Sequence, residues 1–219
     1  MRLDAPMKTL SIPTTTHGRV LVREASDPQA VVIGFHGYTE NAEIQMERLA
    51  SMPGAERWML VSVQGLHRFY RGRGQDVIAS WMTRQDRDAA ILDNIEYVDR
   101  VVEAVAPTGA RIIAAGFSQG VAMAFRGAVR GARPARAIVA VGGDVPPELL
   151  ADPAAAFPAT LLARGARDDW YTAGLMDADV NALRARGAVV EPLVYAAGHE
   201  WTPEVAASAS AFIAGSLAG

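Results

Sequence analysis

The chain has 219 residues, 50% hydrophobic and 21% charged, which suits one folded domain and excludes general disorder. Its 21 Lys and Arg against 24 Asp and Glu leave a formal net charge of −3, without the basic surplus that a nucleic-acid or anionic-membrane surface needs. No cysteine is present, so disulfides, thiolate metal sites and a cysteine nucleophile are excluded together.

The chain opens Met1-Arg2-Leu3-Asp4, with no charged-then-apolar leader pattern over the first thirty positions. Clean apolar runs such as residues 30–35 are far too short to span a bilayer. A soluble, cytoplasmic protein without stable membrane insertion is expected. Residues 9–12 and 19–22, with His17-Gly18 between them, predict an antiparallel hairpin. Continuous apolar runs follow at 31–35, 58–63, 111–117, 137–141, 160–163 and 189–195; such runs suit strands buried on both faces, as in a parallel sheet. Pro192 in the last run marks an edge strand, because it has no N–H for a second neighbour.

Helical patterns alternate with these runs. They cover 40–50, a stretch starting near Asp86, 119–130, 174–186 and 203–217. In the second of them Ile91, Ile95, Val98, Val102 and Val105 recur at steps of four and three, which makes one apolar face, and Pro107 and Gly109 stop it. Gly187 stops the fourth. The predicted fold is α/β: a mostly parallel central sheet with an N-terminal antiparallel hairpin and helices on both faces, in a single domain without a large cap. Residues 64–80 form a long connection that reads as a substrate-binding loop or small lid. Ligands of such sheets bind beyond the carboxyl ends of the strands, so the residues just after each apolar run are the ones to inspect.

There the pentad Gly116-Phe117-Ser118-Gln119-Gly120 follows a strand and opens a helix, the context a serine nucleophile elbow requires. The sharp turn holds the Ser118 hydroxyl toward the pocket, and the flanking glycines let strand and helix approach closely. A serine hydroxyl needs a general base. Among the four histidines, His199 lies between the last strand and the last helix, where a base can reach the elbow; His17 faces solvent in the hairpin, His67 sits in the long connection, and His36 reads as a structural histidine bonding loop backbone. The base needs a carboxylate placed between serine and histidine in chain order. Asp144, Asp168 and Asp169 all follow strands in that window, with Asp168 preferred and Asp169 next. Two backbone N–H groups should serve the oxyanion: that of Gln119, after the nucleophile, and that of Tyr38, in the loop opened by His36-Gly37.

Together these residues resemble the α/β-hydrolase superfamily and, within it, the phospholipase/carboxylesterase branch that includes acyl-protein thioesterases and small esterases. The matching pieces are Phe35-His36-Gly37-Tyr38, the stretch from Gly116 to Ala124, Gly165-Ala166-Arg167-Asp168 and Gly198-His199, in order over residues 28–217. In that branch the acid stands three residues after the glycine closing its strand, which selects Asp168. The loop after His36-Gly37 is bulkier here than the glycine-rich one common in the branch, Arg164 stands where a histidine is usual, and Val121 replaces a second glycine.

The implied function is a serine carboxylesterase acting on a small or medium ester through an acyl-enzyme on Ser118, without metal or organic cofactor. The alternatives are a thioesterase, lysophospholipase or other triad acyl-transfer enzyme, and a non-enzymatic scaffold of the same fold. Phe69, Tyr70, Trp81 and Trp170 are the candidate substrate-lining residues. The partner expected is a small-molecule ester or thioester, with a homodimer allowed. The arginines between 68 and 73 carry too little surrounding charge for a nucleic acid.

Overall fold

The alternating apolar runs and amphipathic stretches assemble into a sheet with helices on both faces in a computed structural model, which describes residues 7–218. The opening residues 1–4, read above for a leader pattern, lie outside the described residues. In chain order the elements are β1 (Arg19–Arg23), β2 (Val31–Phe35), α1 (Ala42–Ser51), a 3-10 turn (Ala55–Arg57), β3 (Met59–Gln64), β4 (His67–Tyr70) and β5 (Val77–Ser80). They continue with α2 (Arg87–Val105), β6 (Ile112–Phe117), α3 (Gln119–Arg130), β7 (Ala137–Val141), α4 (Pro147–Leu150), β8 (Ala159–Gly165), α5 (Ala173–Ala185), β9 (Val190–Tyr195) and α6 (Pro203–Ala218).

Seven of the described strands form one sheet in the order β1-β3-β2-β6-β7-β8-β9. Every neighbouring pair is parallel except β1 with β3. The continuous apolar runs have the reason expected of them. Along β2, Val31, Ile33 and Phe35 face the core beneath α2, α3 and α5, whereas Val32 faces the core shared with α1 and α6; along β6, Ile112 and Ala114 take the first side and Ile113, Ala115 and Phe117 the second. With side chains alternating and both faces covered, every position of β2 and β6 is buried and none carries a polar residue. β9 is the edge strand that Pro192 implies, and Glu191, Pro192 and Val194 on it are exposed.

The structure corrects some of these expectations and gives others a definite form. The N-terminal hairpin does not form: residues 9–12 carry no strand, and β1 finds its antiparallel partner in β3, with Arg19 opposite Gln64. The edge of a large buried sheet offers β1 a full ladder and an apolar neighbour, which an isolated two-stranded hairpin does not. The connection 64–80 contains a two-stranded antiparallel hairpin, β4 with β5, fastened to the segment after β2 by a bridge from Glu40 to Ala79 and by hydrogen bonds that Asn41 donates to the Val77 carbonyl and Arg71 to the Thr39 carbonyl. That bridge also delays the first helix, since Glu40 is extended and Asn41 caps α1 by accepting the Ile44 N–H at 3.1 Å. The placements of Phe69, Tyr70 and Trp81 are treated with the site below.

α3 starts immediately after β6, and this junction depends on glycine. A Cβ built on Gly120 would lie 2.1 Å from the Phe35 carbonyl oxygen and 2.6 Å from that of His36, both backbone atoms. Gly120→Ala therefore has to push α3 off the sheet and is expected to lower the unfolding free energy by about 3 kcal/mol, read as a shift in denaturant midpoint.

Candidate active site

Ser118 caps α3 with φ 52° and ψ −122°, a region that side-chain-bearing residues rarely occupy. The surroundings over-determine it: the Ser118 N–H donates to the Val141 carbonyl at 2.9 Å and its carbonyl accepts from Val121 at 2.9 Å. The hydroxyl is thereby held outward at the carboxyl end of the sheet. His199, in the loop after β9, places Nε2 2.9 Å from the Ser118 Oγ, and its Nδ1 lies 2.8 Å from Asp168 Oδ2. The three side chains come from loops after β6, β8 and β9, neighbours or near-neighbours in the sheet, so the parallel order itself brings residues 81 and 31 positions apart together.

Asp168 is buried, and its second oxygen, Oδ1, accepts the N–H groups of Trp170 and Tyr171, each at 2.9 Å. Asp169 and Asp144 are exposed, and no hydrogen bond joins either to His199. Tyr171 braces the Asp168 loop further, donating its hydroxyl to Asp179 at 2.9 Å, while Asp179 also accepts the Val145 N–H. Burial, with Asp179 alongside, pushes the Tyr171 phenol far up, so it remains a donor. With Oδ1 occupied by backbone donors, only Oδ2 faces the imidazole. His199 Nδ1 therefore carries the proton and Nε2 presents its lone pair to the serine hydroxyl.

The loop after β2 lies on the other side of the serine. Glu40 accepts the Gly37 N–H at 2.7 Å and receives both Nη atoms of Arg48, each at 2.6 Å, a bidentate pair that is mostly buried. Burial alone would raise the Glu40 carboxyl, but Arg48 and the Gly37 N–H outweigh it and hold the acid below its ordinary value. The Arg48 guanidinium in turn sits 3.9 Å from the centre of the Phe117 ring, which is itself 5.1 Å from the His199 ring. This clamp fixes the backbone at Tyr38. Thr39 donates to Ala79 and Glu40 to Gly37, while the Tyr38 N–H takes part in none of the backbone hydrogen bonds among the described residues. The Gln119 N–H, first in α3, has no acceptor within the helix. The Gln119 side chain is engaged elsewhere, accepting from Trp81 N at 3.0 Å and donating to the Met82 carbonyl at 3.0 Å, which ties the elbow to the segment after β5.

His36 is structural, as expected: it is buried, Nδ1 donates to the Gly37 carbonyl and Nε2 accepts the Gly65 N–H. Burial lowers its pKa, which keeps the ring neutral and this pattern intact.

Two clefts meet at Ser118, His199 and Trp170. One, of about 400 Å³, runs along α3 past Met82 and Gly142; the other, of about 330 Å³, runs past Tyr38, Arg48 and Phe117. Trp170 is 80% exposed and lines both. Trp81 does not line either. It is fully buried, donating its indole N–H to the His36 carbonyl at 2.8 Å and packing edge-on against Phe35, because the apolar interior beneath β2 has room for the indole and a carbonyl for its one polar atom. Phe69 and Tyr70 are exposed on β4 and line neither cleft; the Phe69 ring stands 6.4 Å from that of Tyr38 at the rim.

Sequence reasoning missed Glu40, Arg48 and Gly142. Gly142 has φ +67°, and a Cβ there would approach His199 Cε1 to 3.1 Å and Asp168 Oδ2 to 3.5 Å. The Gly142-Gly143 pair directly after a strand was the signal for it. Glu40 and Arg48 carried none, since their pairing joins a loop to the second turn of a helix. Among the described residues no group of three or more His, Asp or Glu side chains is placed to hold a metal ion, and no helix is long and apolar enough to cross a membrane.

The sheet order, flanking helices and strand-to-helix serine turn define an α/β-hydrolase fold. Residues 17–217 match the family model described as Phospholipase/Carboxylesterase, and the chain belongs to that family. It is similar to acyl-protein thioesterase 2 of Zea mays, at 18% identity and TM-score 0.73, over 92% of this chain and 100% of that one. It is also similar to TT1662 of Thermus thermophilus, at 24% identity and TM-score 0.71, over 93% and 100% of the two chains. A Bacillus cereus carboxylesterase aligns at 16% identity and TM-score 0.70, over 91% and 94%. A search of curated proteins gives no match.

Proposed function

We propose that this protein is a serine carboxylesterase in which Ser118 is the nucleophile, His199 the general base and Asp168 the acid that orients it, with the Tyr38 and Gln119 N–H groups as oxyanion donors. The observation that carries this reading is the unbroken relay, 2.9 Å from Ser118 Oγ to His199 Nε2 and 2.8 Å from His199 Nδ1 to Asp168 Oδ2. As Ser118 Oγ bonds to the ester carbonyl carbon, its proton passes to Nε2, and the carbonyl oxygen takes the negative charge against the two N–H groups. The carbon–oxygen bond then breaks, and Nε2 returns the proton to the departing alkoxide. Water repeats the sequence on the acyl-enzyme, giving up its proton to Nε2, and releases the acid and Ser118.

The chain acts as one domain, with residues 64–80 forming the rim beside Tyr38. Thioester cleavage is the second reading, favoured by the likeness to a thioesterase of maize and by the same oxyanion geometry. A fluorophosphonate should label the wild type and not Ser118→Ala; a panel of oxygen esters and thioesters of equal acyl length then decides the leaving group. Absence of labelling in the wild type would overturn both readings.

Glu40 and Arg48 act as positioning residues, because they hold the loop that offers the Tyr38 N–H. Arg48→Met is expected to lower kcat by about 10- to 100-fold with little change in KM, since a donor displaced by a fraction of an ångström is lost mainly to the transition state. The pH sign follows from the depressed Glu40 carboxyl. Its stabilising contribution is complete above the ordinary value of 4.5 and is lost as pH falls through the lower folded value. In Arg48→Met that acid-side dependence of stability should shrink, a change measurable by thermal melts across the range.

A further inference from the structure

The cleft along α3 holds a polar feature that the proposed chemistry leaves unused. Ser118 caps α3, and Ala122 and Arg126 follow at successive steps of four, so all three lie on one face of the helix and all three line the cleft. Ala122 is small and leaves the path between the other two open. Arg126 is only 1% exposed. Its Nε and Nη2 both donate to one oxygen of Glu148, at 2.8 and 2.6 Å, but Nη1 has only the Met82 sulfur at 3.6 Å, a weak acceptor. Burial outweighs the help of Glu148 and pulls the guanidinium below its ordinary value, so the cation is under-compensated.

Arg87, at the start of α2, lines the same cleft. Its Nη2 stands 3.7 Å from Glu148 Oε2, beyond hydrogen-bond distance, and that oxygen has no hydrogen-bond partner among the described residues. Glu148 thus engages two guanidiniums without using up their donors. Asp144, exposed, is the other charged residue on the lining. A buried cation with unspent N–H groups beside an open cleft is arranged for an acceptor brought from outside.

The geometry points to a substrate whose ester also carries a carboxylate, bound by Arg126 and Arg87 while its carbonyl lies at Ser118. This rests on Ser118 being the nucleophile. Eight residues of helix rise about 12 Å, and an arginine leaning back toward the helix start closes that to roughly 6–8 Å, the length of a glutaric or adipic half-ester. An ester with the carboxylate on its alcohol part offers the same chemistry.

The experiment compares kcat/KM for the mono-p-nitrophenyl esters of glutaric and adipic acid with those of the uncharged pentanoate and hexanoate. A second arm compares the butyrate esters of p-hydroxybenzoic acid and of its methyl ester. Wild type should prefer the charged member by about 10-fold or more in one arm, the preference fading with ionic strength. Arg126→Gln and, as a variant at a half-exposed position, Arg87→Gln should bring the ratio toward one. A ratio of specificity constants cancels a general loss from a structural role. Preference for the neutral esters in both arms, or a ratio unmoved by both substitutions, overturns the inference. Cleavage of no ester at all would sink the hydrolase reading instead. The inference is then decided by calorimetry of glutarate and adipate against wild type and Arg87→Gln: weaker binding to the variant supports it, and no binding to either overturns it.

Discussion

Ser118→Ala should lower turnover of a short p-nitrophenyl ester by about 10⁴-fold or more, with KM and fold largely retained. On the proposed mechanism no acyl-enzyme forms without the oxygen, and the Tyr38 and Gln119 N–H groups and the cleft would give only the residual acceleration that binding supplies. The melting temperature should barely move, because alanine meets the same backbone penalty at φ 52° that serine does. Ser118→Gly separates the two effects. It removes the nucleophile as completely, but it also releases the strain, and its denaturant midpoint should rise by the equivalent of about 1 kcal/mol. An alanine variant that keeps near-full activity would remove the proposed mechanism. A glycine variant no more stable than alanine would show that the turn is not strained.

Asp168→Asn is expected to cost about 10³- to 10⁴-fold in kcat, although it changes one atom. The backbone decides which way the amide points. Trp170 and Tyr171 both donate to Oδ1, so that position must remain an oxygen, and the amide NH₂ is forced to the side facing His199. A donor opposite Nδ1 selects the tautomer with its proton on Nε2, which then has no lone pair for the serine. Asp169→Asn, at an exposed position one residue on, should lose less than about 3-fold. A reversal of these two results would transfer the acid's role to Asp169. Stopped-flow or steady-state ester kinetics on the pair is sufficient.

How much of this was legible in the sequence depended on how local the chemistry is. The elbow was plain because its requirements fall within five residues: Gly116 and Gly120 are demanded by backbone contacts under 3 Å, and α3 begins and ends where its apolar pattern does. Pro192 gave the sheet edge by the same kind of local argument. Trp81 shows the opposite case. An aromatic residue ending a long connection carries no periodicity, so nothing in the sequence says which way it points, and the carbonyl of His36 that satisfies its N–H is 45 positions away. The β4–β5 pairing was hidden for a similar reason, since His67 to Tyr70 is exposed throughout and shows no alternation. Arg126 sits in a helix whose neighbours are mostly apolar, and only the folded cleft reveals that its Nη1 is left over.

The edge position of β9 bears on how molecules behave at high concentration. An outermost strand is a template on which another chain can extend the ladder. Here the row of donors is interrupted at Pro192, and Glu191 beside it sets a charge against any incoming copy. This edge of the sheet is thus a poor template for the stacking that ends in insoluble fibrils, through a residue that lies outside the clefts at Ser118.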